Sequence, residues 1–355
     1  MKIGDQHHRS IELAENGWGV RVIDQRKLPW HLVFVTLGSC NETAQAIREM
    51  WVRGAPLIGA VAAYGFCLAL REDASDQSIE RAYAALLSTR PTAINLKWSL
   101  DRMLAAVASL PPRDRIKAAY ARAADLCDED VALCQAIGKH GLGLLYTAAN
   151  AKPNQPINIL THCNAGWLAT VDYGTALAPI YLAHDTGIAV HVWVDETRPR
   201  NQGASLTAWE LEQHGVPHTI ITDNAGGFLM QKGKVDLCIV GTDRVTSNGD
   251  VCNKIGTYLK ALAAHDNGVP FYIALPYSTF DPNLSNGNAI PIEERTANEV
   301  TQITGKLPDG RIETVTLTNS PAANPAFDVT PARLITAFIT EHGVLSPKEM
   351  LRRAA

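Results

Sequence analysis

The chain has 355 residues, of which 46% are hydrophobic and 19% are charged, so it is long enough for one large or two medium domains. A formal net charge of −4 excludes a broad basic surface for nucleic acid. No apolar run approaches the roughly 18 residues of a membrane span, and the polar N-terminal residues lack the apolar core of a signal peptide. We expect a soluble, cytoplasmic protein without nucleic-acid or membrane partners.

The seven cysteines are odd in number and scattered, and their spacing matches neither a disulfide framework nor a zinc site. Reduced thiols are the simplest interpretation. Cys127 and Cys134 are predicted to be core residues on one face of a helix rather than a redox pair. His7 and His8 are predicted to lie in a flexible polar terminus. We therefore expect no metal site.

Two strand-like runs near the start of the chain, "WGVRVID" and "HLVFVTL", predict a small N-terminal sheet. Residues from about 42 to 145 then space their apolar side chains by three and four, which predicts helices. The helical segments are "ETAQAIREMWV", "LIGAVAAYGFCLALRE", "SIERAYAALLSTR", "LKWSLDRMLAAVASL" and "RIKAAYARAADLCDEDVALCQAIGKHGLGLLYTA".

From about residue 155 short β-rich runs alternate with helical segments. The β-rich runs are "INILTHC", "AVHVWVDET", "HTIITD", "DLCIVGTD" and "PFYIALPYS". Such alternation predicts a parallel, doubly wound sheet with helices on both faces. The fold class is therefore α/β, with a helical N-terminal lobe and small sheet over residues 1–145 and a doubly wound domain over residues 146–355. We expect a cleft between these lobes.

Polar residues end each of the five predicted strands, and ligands of open α/β sheets bind outside the carboxyl ends of their strands. These residues therefore outline the rim of a pocket. They are Cys163 and Asn164, Asp195 and Glu196, Asp223 and Asn224, Asp243 and Arg244, and Ser278 and Thr279.

The stretch "LTHCNAGWLAT" places Cys163 at a predicted strand end, before a helix that is expected to begin through Ala165 and Gly166. A helix N-terminus there would lower the pKa of the thiol and make Cys163 a candidate catalytic residue. The alternative is a small buried residue without chemistry, as expected for Cys238. His162 precedes Cys163 on the strand, so its side chain is expected on the opposite face.

The stretch "RGAPLIGAVAAYG" places Arg53, Gly54 and Ala55 at the start of a helix, where free N–H groups and a guanidinium form a phosphate cradle. The alternative is a capped loop with a solvated Arg53. Arg90 in "TRPTAIN" precedes a second rigid turn and strengthens the phosphate interpretation. Asn253 and Lys254 are expected to start a helix, where a lysine suits a phosphate.

Asp243 ends an apolar strand, so its carboxyl group would face a partly desolvated pocket and remain available as an acid near neutral pH. The alternative is an Asp243 that pairs with Arg244 or caps the next turn. Gln202, in "VDETRPRNQGASLTAWEL", is a candidate to hydrogen-bond a sugar hydroxyl. For the arginines at 198 and 200, the alternative is that they only pair with the preceding carboxylates.

Taken together, these motifs resemble the methylthioribose-1-phosphate isomerase family, whose superfamily includes the regulatory subunits of eukaryotic translation initiation factor 2B. The resemblance runs in order from about residue 20 to 345. It is carried by "RGAPLIGAVAAYG", "TRPTAINL", "THCNAGWLAT", "GTAL", "VDETRPRNQGASLTAWEL", "ITDN", "VGTDRVTSNGDVCNKIGTYLKALAA", "PFYIALPYSTFD", "IPIEER" and "NPAFDVTP".

The resemblance implies a Rossmann-like C-terminal domain, a homodimer, and isomerisation of 5-methylthioribose 1-phosphate to 5-methylthioribulose 1-phosphate in methionine salvage, without metal or organic cofactor. Cys163 matches the cysteine of the "THCN" motif, and Asp243 matches the aspartate of the family's "G-A-D-R" motif. The positions that match substrate-contacting residues are Arg53, Gly54, Ala55, Arg90, Gln202, Asn253 and Lys254.

The sequence departs from the family pattern at Thr242, where alanine is usual, and at Trp167, which could reshape the pocket. Two other functions stay open. One is isomerisation of a related sugar phosphate, either 5-deoxyribose 1-phosphate or ribose 1,5-bisphosphate. The other is a non-catalytic regulatory subunit that senses sugar phosphates, although such a relative is expected to lose the cysteine and the aspartate together.

Overall fold

A computed structural model describes residues 1–90 and 93–352. Pro91 and Thr92, which belong to the predicted second turn of the phosphate site, lie outside the described residues. Within its described residues, the first part of the chain forms five short strands and five α-helices. They are β1 (Lys2–Ile3), β2 (Gln6–His7), β3 (Ile11–Leu13), β4 (Val20–Ile23), β5 (Phe34–Leu37), α1 (Cys40–Arg48), α2 (Ala55–Glu72), α3 (Asp76–Leu87), α4 (Ile94–Val107) and α5 (Pro112–Ala151).

Helix α2 is the centre of the helical part, because small and apolar residues surround it on every side and α1, α3, α4 and α5 pack against it. Among the described residues it is also the one helix whose length and mean hydropathy of 1.3 would suffice for a membrane span. The expectation that no apolar segment is long enough for a membrane span was therefore wrong, because α2 meets that criterion by its length and composition. With 83% of its residues buried inside the protein, α2 is a core helix.

The small N-terminal sheet is confirmed: β3, β4 and β5 form an antiparallel three-stranded sheet. The residues before it do not form a flexible terminus, because β1 and β2 pair with each other and His7 Nε2 lies 2.6 Å from Asp172 Oδ2. The N-terminal residues thus pack against the loop that follows the first strand of the large sheet.

The second part of the chain alternates strands and helices as predicted, and adds strands that the sequence did not reveal. Its elements are β6 (Ile157–Thr161), α6 (Ala178–Asp185), β7 (Val190–Asp195), α7 (Ala208–His214), β8 (His218–Ile221), α8 (Ala225–Gln231), β9 (Leu237–Val240), β10 (Arg244–Thr246), β11 (Val251–Lys254), α9 (Thr257–Asp266), β12 (Phe271–Ala274), β13 (Phe280–Asp281), α10 (Asn298–Thr301), β14 (Gln302–Lys306), β15 (Ile312–Thr316), β16 (Phe327–Thr330), β17 (Ala337–Thr340), β18 (Gly343–Leu345) and α11 (Pro347–Arg352).

The large sheet has seven strands in the order β18-β17-β12-β9-β6-β7-β8, and all neighbours are parallel except β17 and β18. The six parallel strands therefore follow the 3-2-1-4-5-6 order of a Rossmann fold. The strand order reverses between β6 and β9. A crevice opens at such a reversal outside the carboxyl ends of the strands, and Cys163 and Asp243 follow these two strands.

Both faces of this sheet are buried, which explains why its strands read as nearly continuous apolar runs. Ile159 on β6 belongs to a core with residues of α5, α6 and α7. Its neighbour Leu160 points to the other face and belongs to a core with residues of α8, α9 and α11. Helices on both faces make the sheet doubly wound, and the α/β fold class is confirmed.

Helix α5 connects the two parts of the protein. Its earlier residues, such as Ala119 and Val131, pack in the core around α2, whereas Ile137 and Leu145 pack against the large sheet. The predicted domain boundary between residues 145 and 146 lies inside this helix, which continues to Ala151. The division into residues 1–145 and 146–355 stays a prediction.

A second sheet lies beyond the carboxyl end of β9 and has the order β13-β10-β11-β16. Strand β11 pairs with β16 so that Asn253 faces Asp328 and Lys254 faces Phe327. This pairing joins two of the sequence motifs, "DVCNK" and "NPAFDVTP". It also corrects the expectation that Asn253 and Lys254 start a helix, because both residues end a strand and α9 begins only at Thr257.

Candidate active site

Cys163 lies just beyond the end of β6 in a backbone conformation that L-residues rarely adopt, with a φ of 63°. Two threonines hold this conformation: the Cys163 N–H donates to Thr197 Oγ1 at 2.8 Å, and Thr207 Oγ1 donates to the Cys163 carbonyl at 2.7 Å. Strained residues that the surroundings fix in this way cluster at functional sites. The geometry therefore favours a functional Cys163 over an ordinary core cysteine.

The expectation that Cys163 lies before a helix N-terminus was wrong. The chain runs through Ala165 and Gly166 into one short 3₁₀ turn, Trp167–Ala169, and the next α-helix begins at Ala178. The physical reason is that Gly166 passes directly over a buried carboxylate, that of Glu210, so the chain is held in a turn here. A 3₁₀ turn therefore stands where a helix N-terminus was expected directly after Cys163.

A cavity of about 40 Å³, called the central cavity, brings together most of the predicted site residues. Cys163 and Asp243 both line it, although they follow different strands. Asn253 also lines the central cavity. So do the residues of the predicted phosphate cradle, which are Arg53, Gly54 and Ala55.

Asp243 follows β9 and is fixed by main-chain contacts, since its N–H donates to the carbonyl of Cys252 at 3.0 Å. Burial raises the pKa of its carboxyl group, and the positive charges of Lys254, Arg90 and Arg53 oppose this rise. The neighbouring Arg244 lies 3.6 Å from Asp281. A carboxyl group whose pKa is raised keeps its proton at higher pH than an ordinary aspartate, as a general acid requires.

Of the two departures from the family pattern, Thr242 lines the central cavity beside Asp243, whereas Trp167 is not among the lining residues. Thr242 donates its hydroxyl to the carbonyl of Cys252 at 2.8 Å, which ties the turn after β9 to β11. Trp167 is 1% exposed and packs in the core with its ring centroid 6.1 Å from that of Trp209. Trp167 thus packs in the core next to the cavity and does not form part of the cavity wall.

The predicted phosphate cradle is formed by the first turn of α2. Gly54 has a φ of 97° and lies so close to the backbone of Ala169 that a Cβ would overlap it, so only glycine fits. Helix α2 begins at Ala55 with Pro56 in its first turn, and both residues line the central cavity, so the start of the helix borders it. The Arg53 guanidinium donates to Asn164, so it is not simply solvated.

Arg90 lies in a second cavity of about 40 Å³ that shares Gly54, Ala55 and Asp243 with the central cavity. Its Nη2 lies 3.3 Å from Glu293 Oε2, so a carboxylate holds the guanidinium beside the site. Arg90 therefore lies near the start of α2 and Asp243, and its contact with a phosphate stays a prediction. The turn that follows it lies outside the described residues.

Lys254 is buried, with 9% of its surface exposed, and its Nζ lies 4.4 Å from the centroid of the Phe327 ring. Burial lowers the pKa of this lysine, and nearby acidic groups of the site partly offset that shift. Its neighbour Asn253 donates to Thr257 Oγ1 at 3.0 Å. Strand β11 thus places an amide and an ammonium beside the two candidate catalytic residues.

Gln202 is 5% exposed, and its Oε1 has no hydrogen-bond partner within residues 1–90 and 93–352. It lines a larger cavity of about 440 Å³ together with Arg53, and that cavity contains neither Cys163 nor Asp243. An orphaned buried acceptor is costly unless a ligand supplies a donor. The two arginines near Gln202 do not pair as expected: Arg200 lies 2.8 Å from Glu299, and Arg198 donates to main-chain carbonyls.

His162, Asp195 and Asp223 form a cluster with metal-ligand geometry that their sequence spacing did not reveal. His162 Nδ1 lies 2.8 Å from Asp195 Oδ2, and His162 Nε2 lies 2.8 Å from the carbonyl of Ile255. The ammonium of Lys260 lies 3.1 Å from Asp195 Oδ2 and thus supplies a positive charge to this cluster. A lysine ammonium that already pairs with the carboxylate of Asp195 makes the cluster fit a metal ion poorly.

Comparison with known proteins identifies the family of this chain. The model of the initiation factor 2 subunit family matches residues 51–347. This chain belongs to that family. Within the family it is 63% identical over 347 residues to the methylthioribose-1-phosphate isomerase of Paramagnetospirillum magneticum, covering 97% of this chain and 96% of that one. The resemblance of the sequence motifs to these isomerases is confirmed.

Two solved structures of the family have the same fold. One is 5-methylthioribose 1-phosphate isomerase from Pyrococcus horikoshii OT3, with a TM-score of 0.82, 39% identity, and coverage of 98% of this chain and 96% of that one. The other is the translation initiation factor eIF-2B subunit delta from A. fulgidus, with a TM-score of 0.79, 37% identity, and coverage of 97% and 99%. The fold alone therefore does not separate an isomerase from a translation initiation factor subunit.

Proposed function

We propose that this protein is an aldose–ketose isomerase that converts 5-methylthioribose 1-phosphate to 5-methylthioribulose 1-phosphate in methionine salvage. The observation that carries the proposal is the 63% identity, over 97% of the chain, to a methylthioribose-1-phosphate isomerase. The central cavity supports it, because a cysteine and an aspartate with a raised pKa meet there beside a helix N-terminus.

The substrate phosphate binds at the first turn of α2, where Gly54 and Ala55 offer N–H groups and Arg53 and Arg90 offer guanidinium groups. This position places the sugar ring beside Asp243. Gln202 lines the larger cavity, which borders Arg53 as the central cavity does, and from that side it supplies an acceptor for a sugar hydroxyl that would satisfy its orphaned oxygen.

The phosphate is esterified to the anomeric oxygen, so the sugar cannot open by simple loss of a hydroxyl proton. Asp243 donates a proton to the ring oxygen, the bond between C1 and that oxygen breaks, and positive charge develops at C1. The raised pKa of Asp243 keeps the required proton available. The proton is recovered when the C2 hydroxyl loses its own proton as the carbonyl forms.

The hydrogen on C2 then moves to C1 by one of two routes. In the first, the sulfur of Cys163 removes it as a proton, an enediol-type intermediate forms, and the proton returns to C1. In the second, the hydrogen moves with its electron pair directly from C2 to C1, and Cys163 stabilises the charge. Both routes balance without a redox partner, and both need Cys163 close to C1 and C2.

The experiment that tests this proposal is a turnover assay with the purified protein and three sugar phosphates: 5-methylthioribose 1-phosphate, 5-deoxyribose 1-phosphate and ribose 1,5-bisphosphate. We expect a ketose product from the first. The bisphosphate is expected to be a poor substrate, since Glu299 already engages Arg200 and main-chain carbonyls already engage Arg198. Binding of these compounds without turnover would instead support a regulatory function.

We further propose that the protein is a cytoplasmic homodimer that needs no metal ion or organic cofactor. Light scattering of the purified protein is expected to give twice the mass of the 38.4 kDa chain. Dialysis against a chelator is expected to leave turnover unchanged, because Asp243 supplies the acid and Lys260 balances the acidic cluster behind Cys163. Restoration of lost activity by one divalent ion would overturn this part of the proposal.

A further inference from the structure

Glu210 on α7 is fully buried and carries a carboxylate that accepts four hydrogen bonds. Its Oε1 accepts from Asn164 Nδ2 at 2.9 Å and from the Leu168 N–H at 3.0 Å. Its Oε2 accepts from the Trp167 N–H at 2.9 Å and from the Tyr181 hydroxyl at 2.8 Å. Burial raises the pKa of this group, and these four hydrogen bonds lower it. Burying a carboxylate costs free energy unless hydrogen bonds compensate for the lost water. The groups that donate these hydrogen bonds therefore indicate the role of the carboxylate.

The contact with Asn164 decides which way that side chain points. An amide has a donating and an accepting end, and a carboxylate only accepts, so the NH₂ group of Asn164 must face Glu210. The oxygen end then faces Arg53, whose guanidinium only donates. Glu210 and Arg53 contact opposite ends of the Asn164 side-chain amide, and both contacts favour the same orientation of that amide.

Arg53 is held at two points by Asn164, because it donates to the side-chain oxygen and, at 2.6 Å, to the main-chain carbonyl. A guanidinium with two fixed contacts has one orientation and loses less entropy when it binds an anion. The chain of contacts therefore runs from a buried carboxylate, through one amide, to a cation at the phosphate cradle.

We propose that Glu210 is a positioning residue for this phosphate site: through the amide of Asn164 it fixes the guanidinium of Arg53 in the orientation that binds the substrate phosphate. The inference rests on the proposed function, in which Arg53 holds the phosphate. It adds a residue that touches no substrate and lies outside the cavity.

The test must separate this action from simple support of the fold, because Glu210 also holds the backbone of Trp167 and Leu168. A double-mutant cycle with Arg53 makes this separation. We measure the KM for 5-methylthioribose 1-phosphate and the inhibition constant of inorganic phosphate in the wild type, Glu210→Gln, Arg53→Ala and the double variant. Glu212→Gln, an exposed change on the same helix, is the matched control.

We expect Glu210→Gln to weaken both constants by about tenfold in the wild-type background and to have almost no further effect in the Arg53→Ala background. A structural effect would instead weaken binding equally in both backgrounds and overturn the inference. If Arg53→Ala alone leaves both constants unchanged, the phosphate assignment fails, and the inference fails with it.

A reversed pair gives a second readout. In Glu210→Gln combined with Asn164→Asp, the glutamine amide can donate to the new carboxylate, which still accepts from Arg53. We expect this double variant to recover part of the affinity that Glu210→Gln loses, and no recovery would contradict the proposal. If Glu210→Gln does not fold, Asn164→Ala breaks the same link and leaves the other three partners of Glu210 in place. Unchanged phosphate affinity in Asn164→Ala would also overturn the inference.

Discussion

The guanidinium of Arg53 donates hydrogen bonds to both the side-chain and the main-chain oxygen of Asn164, the residue that follows Cys163. This contact joins the start of α2, in the helical part, to the end of β6, in the large sheet. The candidate phosphate site and the candidate catalytic cysteine are thus parts of one hydrogen-bonded unit.

Arg53→Lys tests whether this geometry matters beyond the charge. Lysine keeps the positive charge, but it lacks the planar fork that reaches two oxygens of Asn164. We expect the KM for the substrate to rise by about tenfold with a smaller change in kcat, measured by steady-state kinetics. Arg48→Lys, an exposed change at the end of α1, is the control. A wild-type KM in Arg53→Lys would mean that charge alone is sufficient.

The pH dependence of kcat/KM follows from the acid role of Asp243. The acid must be protonated, so activity is expected to fall as the pH rises through its pKa, which burial raises. The negative charge of Glu293 contributes to this rise. Glu293→Gln is therefore expected to lower the pKa of Asp243 and to move the falling limb of the profile to lower pH. A limb that stays in place, or moves to higher pH, would contradict the assignment of Asp243.

Gly166→Ala tests the close approach between the turn after Cys163 and Glu210, because a Cβ at this position would overlap the buried carboxylate. We expect a loss of about 1–3 kcal/mol in the free energy of unfolding, measured with urea. Gly143→Ala is the matched control, since this helical glycine has open space around it. It is expected to gain about 0.5–1 kcal/mol. A Gly166→Ala variant as stable as the wild type would show that the turn adapts.

The periodicity of the sequence predicted the helices around α2 and the alternating strands and helices of the large sheet, because local patterning decides these elements. It did not predict the pairing of β11 with β16, since these strands are far apart in the sequence and their contact is non-local. That pairing explains why Asn253 and Lys254 end a strand. A helix does follow these residues, as the sequence pattern predicted. It is α9, which begins only at Thr257, after Gly256 with a φ of 104°.

The candidate site was predictable at the strand ends, because parallel strands deliver their carboxyl ends to one edge and motif resemblance identified Cys163 and Asp243. The support of the site was not predictable. Glu210 could have been noticed as an acid between the apolar residues Trp209 and Leu211, but its partners follow from tertiary packing alone. The cluster of His162 with Asp195 is likewise a product of neighbouring strands.

Cys163→Ser tests the role of the thiol. Serine keeps the shape, but a hydroxyl is a far weaker acid than a thiol, so a proton-transfer role predicts a severe loss of kcat. Cys40→Ser, at the start of α1, is the control. Turnover in heavy water distinguishes the two routes of hydrogen transfer from C2 to C1. Deuterium at C1 of the product indicates an enediol-type intermediate, and its absence indicates a hydride shift. A mild effect of Cys163→Ser would mean that the cysteine only packs.

The most direct test of the account is the kcat of Asp243→Asn with 5-methylthioribose 1-phosphate, because this change keeps the shape and removes the transferable proton. We predict a fall in kcat of about 10²–10⁴-fold, the usual contribution of a general acid, with substrate affinity retained through Arg53 and the first turn of α2. Asp266→Asn, an exposed change at the end of α9, should behave as the wild type. Near-normal turnover by Asp243→Asn would contradict the claim that Asp243 and Cys163 form the catalytic pair.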